Sequence, residues 1–148
     1  MKAREIMTCD HIWVCSEDTD VREAARLMAE HNVGIVPVLD RDGRLEGVVT
    51  DRDICCRIVA NGRSFETPVS EVMSSAPLSV DVEADLKDIE QIMQGHKVRR
   101  LMVVDANRNL MGIVSMADLA RHCHGLWKEH HLAETLEEVS TGPGPGGA

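Results

Sequence analysis

The residues of this chain best placed to do chemistry are two carboxylates and two hydroxyls, set in a pattern that occurs twice. Gly47-x-x-Thr50-x-x-Asp53 is matched 65 residues later by Gly112-x-x-Ser115-x-x-Asp118. In both copies an apolar run passes through the glycine and reaches Thr or Ser where a helix N-cap belongs. The free amides of such a helix start form a ready-made phosphate site. The Asp falls one turn into the helix, where a carboxylate can accept two hydrogen bonds from a vicinal diol such as a ribose. A single copy reads as a capping box, in which the acidic residue bonds back to the cap. Two copies, each after the same glycine-containing strand, favour a ligand site.

The elements that must position these residues are repeated as well. Val33-Gly34-Ile35-Val36-Pro37-Val38-Leu39-Asp40 aligns with Val98-Arg99-Arg100-Leu101-Met102-Val103-Val104-Asp105, and Glu5-Ile6-Met7 meets Glu71-Val72-Met73 at a spacing one residue longer. Internal repetition is read first because it sets the number of folded units. Each copy predicts a short helical lead-in (3–7 and 69–73) and a brief strand, Ile12-Trp13-Val14 or Leu78-Ser79-Val80. A helix follows. Asp18 or Thr19 caps the first, with Val21, Ala24, Ala25, Leu27 and Met28 on one face; Leu86, Ile89, Ile92 and Met93 form the same stripe in the second. Two strands come next, joined in the first copy through Asp42-Gly43, whose glycine supplies a positive φ. The last helix starts at Thr50 or Asp51, and at Ser115 in the second copy. The order strand-helix-strand-strand-helix is a mixed α/β (α+β) unit with helices on one face of a small sheet. A unit of about 60 residues buries only about 60% of its unfolded surface. Two copies are therefore expected to pack sheet against sheet, with boundaries at 1–64 and 65–125, followed by a helical extension and a disordered Gly/Pro tail over 126–148.

With these motifs in view, the chain resembles a tandem pair of cystathionine β-synthase (CBS) domains over residues 1 to about 125, in the manner of small bacterial stress- and hypoxia-response proteins built from one such pair. The resemblance implies two repeats related by a pseudo-two-fold axis. It also implies a regulatory protein, without catalytic activity, that binds an adenosyl ligand: AMP, ADP, ATP, NAD, S-adenosylmethionine or, in some members, cyclic di-AMP. Carried over position by position, the Asp of one repeat would hold the ribose, the preceding Thr or Ser would meet phosphate, and the base would lie against strand residues of the other repeat. A first cleft would then combine Thr50, Arg52 and Asp53 with Ser79, Val98, Arg99, Arg100 and Met102. A second would combine Ser115 and Asp118 with Trp13, Val33, Gly34, Ile35 and Pro37. The first brings up to three arginines to a phosphate-rich ligand. The second brings none and places bulky Trp13 where Ser79 stands, so it is expected to be weaker, empty or partly filled by Trp13. The family pattern further implies a homodimer, for which Ile54, Ile58, Val59 and Leu119 offer apolar helix positions.

Composition narrows the function classes. Sixteen Lys and Arg against 25 Asp and Glu give a formal charge of −9, which argues against general nucleic-acid binding. The sequence holds no apolar run of about 18 residues for a membrane span and no signal-peptide pattern at its start, so a cytoplasmic location is expected. Five cysteines without a C-x-x-C argue against a disulfide framework, and Cys55 and Cys56 read as buried thiols. His122, Cys123, His124, His130 and His131 match no fixed zinc spacing and read as a solvated helix face, so no metal is expected. His31 and His96, at helix ends, are expected to meet last-turn carbonyls. An enzyme reading finds no nucleophile and base placed beside Asp53 or Asp118. The competing reading is a ligand-free dimeric scaffold that docks an effector protein.

Overall fold

A computed structural model of the 148-residue chain describes residues 1–75 and 79–122. The expectations for Cys123 to His131 and for the tail lie outside the described residues. The described chain forms two compact units: residues 13–75 make one, and residues 1–12 join 79–122 in the other. The copies of the sequence and the units of the fold are thus divided differently.

In the unit of residues 13–75, strand β1 (Cys15–Ser16) leads to helix α2 (Val21–His31), strands β2 (Ile35–Leu39) and β3 (Leu45–Thr50), helix α3 (Asp51–Ile54), a 3-10 turn at Val69–Glu71 and strand β4 (Ser74–Ser75). The sheet order is β1-β2-β3-β4, with β1 parallel to β2 and the other pairs antiparallel. Strand β1 lies just beyond the expected Ile12-Trp13-Val14. The cap of α2 is Asp20, not Asp18 or Thr19: its Oδ1 accepts from Glu23 N at 2.8 Å. The helix buries Val21, Ala24 and Met28, the three-and-four spacing of one face, and stops where Asn32 turns left-handed (φ 52°) and Val33 N bonds back to Met28 O. Helix α3 continues as a π-helical stretch, Cys55–Val59, with Ala60 N bonded to Cys55 O at 2.9 Å. The core of this unit joins Val36, Val38 and Val49 of the sheet to the α2 face, to Ile58, and to Val69 and Val72 of the following lead-in.

The other unit is built from the same parts: helix α1 (Ala3–Ile6), strand β5 (Ser79–Asp81), helix α4 (Leu86–His96), strands β6 (Arg100–Val104) and β7 (Leu110–Ser115), and helix α5 (Met116–His122), with sheet order β5-β6-β7. Its core joins Leu101, Val103 and Val114 to Ile89, Met93 and Leu119, and to Ala3 and Ile6 from the start of the chain. Both hairpins carry a bulge at the same point. Glu46 in the first and Met111 in the second are left without cross-strand partners. Both loops use a positive φ, at Gly43 (80°) as expected and at Arg108 (66°) in the second copy.

Each lead-in therefore serves the other copy of the sequence. Ala3 N donates to Ala84 O and Arg4 N to Val82 O, and Lys2 and Arg4 pair with Asp85 and Glu83 at 2.9 and 2.7 Å. Asp85 sits at the N-cap of α4 but makes no side-chain cap bond. Val69 N bonds to Thr19 O, and Val21 N to Thr67 O, in the first copy.

Candidate functional site

Strand β3 delivers Thr50 to the N-cap of α3 in an extended conformation, φ −112° and ψ 161°. Thr50 Oγ1 accepts from Asp53 N at 3.0 Å, and Asp53 Oδ2 accepts from Thr50 N at 2.9 Å. Strand β7 repeats this. Asp118 Oδ2 accepts from Ser115 N at 2.7 Å and from Ser115 Oγ at 2.8 Å, while Ser115 Oγ accepts from Asp118 N at 3.2 Å. Both copies thus form the capping box that the duplication argued against. In each, the box engages Oδ2 and leaves Oδ1 outside it, so a capping role and a ligand role are compatible.

The two Oδ1 atoms have different surroundings. The Asp53 side chain is 14% exposed, and its Oδ1 lies 3.9 Å from Arg57 Nε, while Arg57 Nη1 is held at 2.8 Å by Val72 O. The Asp118 side chain is 3% exposed and its Oδ1 is ion-paired with Arg121, three residues on. His122 Nδ1–H donates to Asp118 O at 2.8 Å. The first repeat holds Cys56 where the second holds Arg121, and Arg57 where it holds His122.

The glycines of the motif have a packing role that sequence reading missed. A Cβ on Gly47 would lie 2.6 Å from Ser74 O and 2.8 Å from Met73 Sδ. On Gly112 it would meet Met7 Sδ at 2.6 Å and Thr8 O at 3.0 Å. The lead-in presses on β3 at Gly47↔Ser75 and Val48↔Ser74, and on β7 where Thr8 and Ile113 exchange backbone bonds of 2.8 and 3.0 Å. The repeated Glu-Ile/Val-Met was the available signal.

The remaining candidates fall on the strands beside these caps. Register places Ile35 opposite Thr50 and Arg100 opposite Ser115, and Ser79 beside Met102. Leu101 and Val103 join the helix-covered core, so alternation puts Arg100 and Met102 on the opposite face of β6. Pro37 alternates in the same way with Val36 and Val38. Arg99 is exposed, and its carbonyl accepts from Met116 N at 2.9 Å, as the Gly34 carbonyl does from Asp51 N at 3.0 Å. Arg52 is exposed at the start of α3. Val33 and Val98 pack against the cores of their own units.

Trp13 does not occupy the place of Ser79. Cys15 pairs with Val38 as Val80 pairs with Val103, so Val14 is the counterpart of Ser79. A one-residue slip changes which side chain reaches the site face. Trp13 instead stacks on His31, with centroids 3.5 Å apart and planes at 7°, which also corrects the expectation that His31 meets last-turn carbonyls.

A family model for the CBS domain matches residues 3–60 and again residues 69–125. The chain belongs to the CBS domain family. The CBS domain-containing protein YhcV of Bacillus subtilis is 50% identical over 105 residues, covering 71% of this chain and 74% of that protein. Hypoxic response protein 1 of Mycobacterium tuberculosis is 37% identical over 138 residues, 93% of this chain and 92% of that protein. A crystal structure of Hypoxic Response Protein I with two coordinated zinc ions superimposes with a TM-score of 0.74 at 35% identity, covering 84% of this chain and all of that one. The CBS domain protein PAE2072 of Pyrobaculum aerophilum, complexed with AMP, gives 0.72 at 28% identity over 90% of this chain and 98% of that one.

Several other features of this CBS pair depart from the sequence reading. Ile58 and Leu119, expected at a dimer surface, are fully buried in the cores of their own CBS units; of the four helix positions, Val59 is the exposed one, at 59%. Cys55 and Cys56 are exposed, because the stretch after α3 turns them away from Ile58. Among the described cysteines Cys15 is the buried one, its thiol pushed up to about 11 by burial and therefore neutral at physiological pH. A groove of about 510 Å³ in the first CBS unit is lined by Val14, Cys15, Thr19, Leu27, Asp40 and Arg41, at the Leu39 end of β2 and away from Thr50. Among the described residues no group of His, Cys, Asp and Glu is arranged to hold a metal, and no helix is long and apolar enough to cross a membrane.

Proposed function

We propose that this CBS pair is a regulatory sensor of an adenosyl nucleotide, with Asp53 as its ribose anchor. The observation that carries this reading is the state of Asp53: its Oδ2 is fixed by the capping box while Oδ1 lies 3.9 Å from the nearest arginine. A carboxylate held in orientation with its other oxygen beyond hydrogen-bond distance of its paired arginine is suited to accept from a ribose diol. The AMP complex of the related PAE2072 supports the ligand class. Thr50 and Arg52 stand beside Asp53 for phosphate, and of the arginines of the second repeat Arg99 is the stronger phosphate candidate because it is more exposed than Arg100. The protein acts in the cytoplasm as a homodimer without catalysis of its own. Its output passes through a change in self-association or an effector protein bound in trans.

The test is calorimetric titration with AMP, ADP, ATP, NAD and S-adenosylmethionine, with thermal melts alongside. A ligand at 100 times its dissociation constant adds about 2.7 kcal/mol of stability. Asp53→Ala removes charge-assisted hydrogen bonds worth about 1.5–3 kcal/mol, an expected loss of about tenfold to a hundredfold in affinity. If no adenosyl compound binds or shifts the melt, the sensor reading fails and the ligand-free scaffold takes its place.

A further inference from the structure

The two CBS repeats carry the same motif, yet the acceptor that a ribose would need is only loosely ion-paired in one and in direct contact with a guanidinium in the other. Resting on the reading of Asp53 as a ribose anchor, we infer that Arg121 closes the second repeat to nucleosides and so sets a capacity of one adenosyl ligand per chain. Three observations combine in this. The Asp118 carboxylate is saturated by its own helix: Oδ2 takes two bonds from Ser115, and Oδ1 takes the guanidinium of Arg121. A diol would have to displace a charged partner to gain neutral hydrogen bonds, an unfavourable exchange at a carboxylate 3% exposed. In the first repeat the pairing is looser: Cys56 stands at the equivalent position, and Arg57, one residue further, reaches Asp53 Oδ1 only at 3.9 Å while its Nη1 is tied to Val72 O.

The closure is a property of position as well as charge. Arg121 is one turn beyond Asp118 on α5, with its side chain 65% exposed, so it can be replaced without opening the core. Its role is to select which copy accepts ligand. The backbone carbonyl of Asp118 is held separately by His122, so the helix turn itself does not depend on Arg121.

The experiment is calorimetry of the full chain with AMP, reading stoichiometry. The native chain is expected to bind one AMP per chain, and Asp53→Ala to weaken that site by about tenfold to a hundredfold. Arg121→Ala is expected to raise the count to two, Arg121→Lys to stay at one, and the double variant Asp53→Ala/Arg121→Ala to retain a site that the single Asp53→Ala lacks. Thermal melts check that each variant is folded. A native count of two, or an Arg121→Ala count that stays at one while Asp53→Ala still weakens the site, overturns the closure and leaves the sensor reading intact. No AMP uptake by the native chain or by any variant overturns the closure, and a failure to take up ADP, ATP, NAD or S-adenosylmethionine as well overturns the sensor reading with it.

Discussion

At the scale of single residues, the pairing of Thr50 with Asp53 and of Ser115 with Asp118 was legible because a hydroxyl and a carboxylate three apart at a helix start interact locally. What could not be read was the partner of the second carboxylate oxygen, since Arg57 and Arg121 lie at different offsets and both resemble ordinary helix-surface arginines. Glu46 shows the same limit. The hairpin bulge places it on the first sheet beside Glu17, with Oε2 buried and without a fixed donor. A hydrogen bond shared with Glu17, then desolvation, then repulsion from Glu17, Asp40 and Asp18 hold its carboxyl above the ordinary value of 4.5. The shared bond needs a proton on one of the two. A carboxyl raised in the folded state favours folding when protonated, so its contribution is present at low pH and lost as pH rises through the raised value. Glu46→Gln is therefore expected to raise the melting temperature near neutral pH, with a gain that shrinks as pH falls toward 4.5. Calorimetric melts across that range check this; a gain independent of pH would show that charge is not the cause.

At the scale of elements, the helices and hairpins followed their periodicity, and their stops followed cap chemistry. The left-handed residues after α2 and α4, Asn32 and Lys97, occupy the same place in the two copies. The lead-ins did not follow sequence order. Val69 and Val72 are fully buried in the core of residues 13–75, and Ala3 and Ile6 are buried in that of residues 79–122. Burying one Val contributes about 1.5–3 kcal/mol, so losing two removes about 3–6 kcal/mol, comparable with the stability of a small domain. A fragment cut at the sequence boundary, 1–64, lacks both valines, whereas 13–75 retains the whole core. We expect dispersed amide resonances and a cooperative melt for 13–75 and neither for 1–64. Equal order in the two fragments would show that the lead-in is dispensable.

At the scale of the whole molecule, the proposed homodimer must use surface that the cores leave over. Ile58 and Leu119 are unavailable, while Val59 (59%) and Phe65 (52%) are exposed, with Arg22 lying 5.9 Å over the Phe65 ring. Light scattering is expected to give about twice 16.3 kDa, and Val59→Asp to lower it toward one chain. A native mass of one chain refutes the dimer, and an unchanged mass in the variant moves the interface off Val59. Which apolar helix positions remain on the surface was not legible in the sequence, because a buried and an exposed apolar residue on one helix differ only in what packs over them.

The sequence by itself determined the repeat, the order of elements in each copy, the family and the pair of capped motifs, because each follows from local spacing: alternation in strands, a three-and-four stripe in helices, a hydroxyl and a carboxylate one turn apart. Tertiary structure alone decided which copy each lead-in completes, why Gly47 and Gly112 admit no side chain, and which of the two aspartates is the more loosely paired. These depend on contacts between Met73 and Gly47, Met7 and Gly112, and Arg121 and Asp118. The first two pairs are far apart along the chain or cross from one copy to the other, and no periodicity encodes them. The third is local, but its outcome is set by the rotamer and exposure of an arginine, which its position in the sequence leaves free.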